Sequence, residues 1–385
     1  MADRLLFPYV LSLTQKNKPA PYPLRDLDEH LDAALHWIEQ ASRAVGGAGI
    51  SKGYDLLRSR WFPAYPETTG YTLPTLINAS RLLGNDAWRE LAIGHAEYLL
   101  NCVTEDGGVL YWKKSRKANP IVFDTGQVIL GWLAVFRDTG AENFLRAAMR
   151  SGDWLVKVQE PDGIWKEHQY RRVYKVIDAR VDWALLVLFQ ATGETRYRDA
   201  AVRNLEWVLA QQTSDGWFQN CGVVPNQVPV THYLAYAAEG LYLSGDLLKE
   251  PRYLQAGKKT ADRLLDLQRS DGYLAGAFSA DWKETEASCC LTGDLQMSIL
   301  WMLLWVKSGT PEYHEAARRG LEFVCRTQFL DTPDLNIRGS IGGSFPLYGK
   351  YERYKLPEWA AKFLISAILW VKALEGDRLP ELLPG

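Results

Sequence analysis

Hydrophobic and polar positions along the chain alternate on a long period. An apolar helical stretch ends in a polar turn built on Asp-Gly. The turn recurs as Thr104-Glu105-Asp106-Gly107, Gln159-Glu160-Pro161-Asp162-Gly163, Gln212-Thr213-Ser214-Asp215-Gly216 and Gln268-Arg269-Ser270-Asp271-Gly272. The aspartates at 106, 162, 215 and 271 are spaced by 56, 53 and 56 residues. Such a period marks a repeat architecture whose unit cannot bury its apolar face alone. A second helix falls inside each period, and its start carries a polar signature of its own. The signatures are Glu67-Thr68-Thr69-Gly70-Tyr71, Asp124-Thr125-Gly126-Gln127, Asp178-Ala179-Arg180-Val181-Asp182-Trp183, Thr231-His232-Tyr233, Thr292-Gly293-Asp294-Leu295-Gln296 and Leu356-Pro357-Glu358-Trp359.

Stretches 295–305 and 363–370 are apolar all round, as interior helices are, whereas 146–155 and 316–323 carry a single apolar stripe. Inner and outer helices therefore alternate. Two helices per unit, about six units and no strands predict an all-α fold, the (α/α)6 barrel or α/α toroid. No Pro/Gly/Ser linker divides the sequence, so residues 1–385 read as one toroid domain.

Composition changes this picture little. A net charge of −2 offers no field for nucleic acid, and no apolar stretch reaches the length of a membrane span. The start Met1-Ala2-Asp3-Arg4 lacks the features of a secretion signal, so the cytoplasm is expected. Five cysteines at 102, 221, 289, 290 and 325 are an odd number in a large chain and read as reduced thiols. Phosphate loop, dinucleotide fingerprint and Gly-x-Ser-x-Gly elbow are all missing, and no cofactor is expected.

In an up-and-down ring every connection from an outer to an inner helix lies at one end, so the inner-helix signatures converge on one mouth. Three loops entering it interleave cations with aromatics: 111–117 with Trp112, 168–175 with Tyr170, Arg171 and Arg172, and 348–355 with Tyr351. A solvated rim explains any one of them. Three at one end of a slightly acidic protein point to an anionic ligand with a flat or apolar face, because cations around a cleft attract anions and Arg forks match carboxylates. Arg180 and Asp294, at inner-helix starts, join the substrate-binding candidates.

Deeper in the mouth stand Glu67, Asp124, Asp178, Asp182, Asp294 and Glu358, with Thr68, Thr231 and Thr292. Capping of free amides accounts for such residues at helix starts. Asp182 falls past the cap and is the preferred functional acid. His232 precedes Tyr236 by about one turn, and an imidazole whose ordinary pKa is about 6.5 suits proton transfer; Tyr71, Glu67 and Asp124 complete the catalytic candidates. Cys221, His232 and Cys290, with Asp294 beyond, have the chemistry of zinc ligands.

The phrases Phe123-Asp124-Thr125-Gly126-Gln127, Asn220-Cys221 with Thr231-His232, Ser288-Cys289-Cys290-Leu291-Thr292-Gly293, and Gly342-Gly343-Ser344-Phe345-Pro346 followed by Trp359-Ala360-Ala361-Lys362-Phe363 resemble the squalene-cyclase-like toroids of bacterial exopolysaccharide gene clusters, the VpsJ-like family. The resemblance implies an α/α toroid that makes or modifies a surface polysaccharide in association with assembly proteins, and it adds Lys362 to the substrate-binding candidates. The Asp-x-Asp-Asp acid of squalene cyclases is missing.

The expected partner is thus an acidic polysaccharide or oligosaccharide. The expected reaction is removal of the C5 proton of a uronate, giving epimerisation, with β-elimination as the lesser outcome. Arg180, Arg171 or Arg172 would neutralise the carboxylate, and His232 with Tyr236 or Tyr71 would move the proton. The alternatives are a glycoside hydrolase using two mouth carboxylates, a non-catalytic glycan-binding protein, and a zinc-dependent or terpenoid cyclase or transferase.

Overall fold

The computed structural model describes residues 22–111 and 119–379. Among them are twelve α-helices: α1 (Leu27–Arg43), α2 (Pro66–Leu83), α3 (Asp86–Leu99), α4 (Val122–Thr139), α5 (Glu142–Lys157), α6 (Ala179–Thr192), α7 (Thr195–Ala210), α8 (Thr231–Leu248), α9 (Pro251–Leu267), α10 (Leu291–Ser308), α11 (Pro311–Cys325) and α12 (Glu358–Glu375). Even-numbered helices are inner. Residues Pro66 to Ser80 of α2 are buried without a break, as are Val122 to Val135 of α4, which is the mark of a helix surrounded by other helices. Odd-numbered helices bury one stripe and form the outer ring. Each inner helix packs on the next, α2 on α4 through to α12, and α12 on α2 closes an (α/α)6 toroid. The first described helix, α1, packs against the last described one, α12, so the sixth hairpin joins segments far apart in the sequence.

The repeated turn holds the ring shut. Its Gln side chain reaches a backbone carbonyl on the next outer helix: Gln159 donates to Ala200 of α7 at 2.9 Å, Gln212 to Ala256 of α9 at 2.8 Å and Gln268 to Ala316 of α11 at 3.0 Å. The Gly of the same turn lies flat on that helix. Gly272 has φ +91°, and a Cβ there would come within 2.1 Å of the Arg319 carbonyl oxygen, so no other residue fits. From Gly107 to Gly216 the turn carbonyl also accepts from the next outer helix, from Ser151 at 2.7 Å, Asn204 at 3.0 Å and Thr260 at 2.6 Å.

The sixth turn departs from the phrase and does the same work. Gln328 donates to the carbonyls of His30 at 3.1 Å and Gly339 at 2.8 Å, and its Oε1 lies 2.5 Å from His30 Nδ1, so this turn stitches α11 to α1. All five cysteines are buried free thiols.

The expectation of no strands needs correction. Among the described residues five short strands pair the mouth loops: β1 (Gly53–Asp55) lies between β2 (Arg60–Trp61) and β5 (Lys355–Pro357), and β3 (Cys289–Cys290) pairs with β4 (Ser344–Phe345). Loops crossing over a buried mouth must satisfy their peptide groups, and two or three residues are too few to show an alternating pattern. Among the described residues no helix is long and apolar enough to cross a membrane.

Gln328→Ala removes a fully buried amide and orphans its partners, which should cost about 2–3 kcal/mol, whereas Gln159→Ala at a half-buried turn should cost about 1 kcal/mol. Urea unfolding of the two variants checks the order; equal costs would deny the sixth turn its closing role.

Candidate active site

The long connections from outer to inner helices gather at one end and surround a cavity of about 630 Å³. Its wall is aromatic, with Tyr65, Tyr71, Tyr111, Tyr170, Tyr233, Tyr236, Tyr351 and Trp359, and it carries His232, Glu67, Glu352, Lys52 and Arg171. None of the inner helices uses a side-chain N-cap. The polar starts therefore serve other ends than the capping expected of them. Thr231 and Thr69, for example, donate to the carbonyls of Ala275 and Tyr65, at 2.5 and 2.8 Å.

His232 begins α8. Its Nδ1 lies 2.5 Å from Oε1 of Gln296 on α10, which places the ring proton on Nδ1 and leaves Nε2 with its lone pair. Burial pushes the imidazole pKa down to about 4, so it is neutral at physiological pH. Three phenol rings surround it, Tyr236, Tyr351 and Tyr233, with centroids 4.4, 5.4 and 5.6 Å away. Tyr236 is in turn hydrogen-bonded to Tyr71.

On the wall formed by α2 and α4, two acids share two phenols. Tyr170 donates to Asp124 and contacts the Tyr65 hydroxyl, while its oxygen lies 3.4 Å from Glu67 Oε2 and that of Tyr65 lies 3.3 Å from Asp124 Oδ2. Burial lifts the Glu67 carboxyl to about 7, and burial with the Glu67 charge beside it lifts Asp124 well above the carboxylate range. Behind Tyr170, Lys175 and Asp178 are fully buried, 3.4 Å apart and bridged by Gln169. The Lys52 ammonium stands among aromatic faces, 4.9 Å from the Tyr65 ring and 5.7 Å from that of Trp359, and forms no hydrogen bond or ion pair among the described residues.

Residues 103–303, just over half of the chain, match the ulvan lyase N-terminal domain family. The chain belongs to that family. Solved toroids share the fold: unsaturated glucuronyl hydrolase from a Bacillus species has a TM-score of 0.71 at 15% identity, covering 91% of this chain and 97% of its own. The same enzyme from Streptococcus agalactiae gives 0.67 at 13%, covering 94% and 96%. Cellobiose 2-epimerase from Bacillus thermoamylovorans gives 0.68 at 12%, covering 88% and 98%. No curated protein matches the sequence.

Within this ulvan lyase-type toroid the sequence candidates separate by depth. Glu67, Tyr71, Tyr170, Arg171, His232, Tyr236 and Tyr351 line the cavity together, and Asp124 stands directly behind Tyr170. Arg180 and Lys362 do not face it and are corrected: both are fully buried beneath the tyrosine floor. Arg180 is paired with Glu239 at 2.9 Å and lies 5.4 Å from the Tyr236 ring. Lys362 lies 5.3 Å from the Tyr71 ring, and burial drops its pKa to about 7. Asp182 and Asp294 are also off the lining, sealed among packed helices, Asp182 without a hydrogen-bond partner and Asp294 beside the Cys289 thiol. Arg172 points to solvent. Trp112 and 113–117 lie outside the described residues.

The zinc candidates Cys221, His232 and Cys290 are not brought together as a ligand set. Among the described residues no group of three or more His, Cys, Asp or Glu side chains is arranged to hold a metal ion. Sequence reasoning missed Lys52, Tyr65 and Glu352 as cavity residues. Tyr65 had a signal, since it immediately precedes an inner helix as Ile121 and Val230 do; Lys52 sits in a loop outside the repeat and had none.

Burial raises the Asp182 carboxyl well above its ordinary value, with the nearby Asp178 charge adding to it. The folded state therefore keeps a proton that the unfolded chain releases above about pH 4, and stability falls as pH rises beyond that point. Asp182→Asn should match the wild type in urea unfolding near pH 4 and exceed it at pH 8. A less stable variant at pH 8 would mean that the carboxylate is ionised and needed.

Proposed function

We propose that this protein is a uronate-directed enzyme of the lyase type that abstracts the C5 proton of an acidic glycan. The observation that carries the reading is the neutral His232 imidazole, its Nδ1 held by Gln296, with Nε2 free among three phenols and with two uncompensated cations, Lys52 and Arg171, on the same cavity. Removing a proton next to a carboxylate requires that its negative charge be neutralised, and a base and an acid must reach the sugar. Lys52 and Arg171 receive the carboxylate. His232 Nε2 takes the C5 proton, the electron pair forms the C4–C5 double bond, and the C4–O bond breaks. The leaving oxygen takes the Tyr236 hydroxyl proton, and the imidazolium returns its proton to the phenolate through solvent.

Kinship with ulvan lyases favours elimination over epimerisation, the two sharing their first step. The substrate is an acidic polysaccharide or oligosaccharide, and the cytoplasm is the proposed setting.

Hydrolysis is the second reading, favoured by a single observation: the Glu67 carboxyl, lifted to about 7, is suited to general acid work. Of the six acids expected in the mouth, only Glu67 lines the cavity, and Asp124 stands on its own side. A pair across the pocket would need Glu352, which Lys355 holds at 2.7 Å.

Incubation with uronate polymers in deuterated water should give an unsaturated product or solvent deuterium at C5, and His232→Ala should lower the rate by about 10²–10⁴-fold. Reducing ends without unsaturation or deuterium would select hydrolysis. The rate should fall below about pH 4 as His232 is protonated. Above about pH 7 ionised Glu67 compensates Lys52 and repels the substrate carboxylate, so KM should rise. Glu67→Gln should flatten that alkaline limb; a limb unchanged in this variant assigns it to another group.

A further inference from the structure

A smaller cavity of about 110 Å³ opens beside the main one, and Lys52, Glu352 and Trp359 line both. Phe62 and Lys355 complete its wall. Its floor is backbone, the pairing of Gly53 with Pro357. Gly53 has φ +141°, and a Cβ there would come within 2.3 Å of the Leu356 carbonyl oxygen, so the floor depends on glycine. Two ammonium groups meet one carboxylate: Lys355 Nζ lies 2.7 Å from Glu352 Oε2 and 5.8 Å from the Phe62 ring, while Lys52 is uncompensated among the described residues. The pocket is thus cationic by one charge, with aromatic faces on two sides. Its volume matches three or four waters at about 30 Å³ each, too little for a pyranose ring and enough for one oxyanion group.

Building on the C5 reading above, we propose that this side cavity is a subsite for an oxyanion substituent, a carboxylate or a sulfate ester, on the sugar adjoining the reacting uronate. The glycan crosses the Trp359 indole, one sugar in the main cavity with its carboxylate on the Arg171 side of Lys52, and the substituent of the next on the Lys355 side, so that Lys52 stands between the two anions. A partly exposed lysine pair discriminates well against a neutral neighbour, because Lys355, itself 37% exposed and held by a single carboxylate, is weakly satisfied until an anion arrives.

The test is calorimetric binding to His232→Ala protein, with Lys355→Met and Lys355→Arg made in that background. Three probes serve: a homo-oligouronate, an alternating oligosaccharide of uronate and neutral sugar, and the same alternating chain sulfated on the neutral sugar. Probes with an anionic neighbour should bind about tenfold tighter than the neutral one. Lys355→Met should abolish that advantage and spare the neutral probe, while Lys355→Arg keeps it. Loss confined to the homo-oligouronate assigns a carboxylate, and loss confined to the sulfated chain assigns a sulfate ester. A Lys355→Met effect equal on all three probes, or absent from all, overturns the subsite. Failure of every probe to bind the Lys355-intact protein overturns the glycan reading itself, an outcome distinct from either.

Discussion

The structure depends on one repeated interaction, a turn amide donated to the carbonyl of the neighbouring outer helix with a glycine lying flat against that helix. A hairpin of one inner and one outer helix exposes apolar surface on both flanks, and only a closed ring leaves none uncovered. Hydrophobic burial drives the closure but is indifferent to register. The Gln and Gly contacts supply the register, because each amide has one carbonyl to find and each glycine one surface it can approach. Gln328 on His30 applies the same rule between the two ends of the sequence, so the ring is completed by chain segments roughly three hundred residues apart.

Closure has an electrostatic consequence. Among the described residues five short connections face one end and six long ones the other, so the polar residues that open the inner helices are pressed together under loops. Desolvation then decides their protonation: it holds His232 neutral and raises Glu67, Asp124, Asp182 and Asp294. A cavity assembled from surface loops alone would leave these groups near their ordinary values. The core beneath is ionic as well as apolar, with Arg180 and Glu239 paired and Lys362 under the tyrosine floor. That arrangement places positive charge behind Tyr71 and Tyr236 without exposing it to a ligand.

The ring was legible in the sequence because a period near 55 residues and a switch between one-sided and all-round apolarity both act over many positions. Within the site, legibility followed the same principle. His232, Tyr236, Tyr71 and Glu67 open helices at repeating positions and reach the cavity together. Arg180, Lys362, Asp182 and Asp294 occupy helix starts too, yet a rotation of about one residue around an inner helix turns a side chain from the mouth to the packing between helices. Sequence spacing fixes that angle only to within the precision of the helix boundary. Lys52 and the strands β1 and β5 belong to crossing loops, whose pairing is set by tertiary contact and has no local pattern.

This division explains why Arg180 does not reach the cavity. An arginine on an inner helix is committed to the frame: its partners Glu239 and Gln127 come from neighbouring repeats, and drawing it toward a ligand would leave Glu239 buried and unpaired. Lys52 and Arg171 are carried by loops, have no protein partner to abandon among the described residues, and need only lose water to meet a carboxylate. Charge that recognises a ligand must be available when the ligand arrives, and in a closed helical ring the loops are where such charge can be kept. The frame and the chemistry are thus held by different segments, so the loops can vary while the stitches keep the ring.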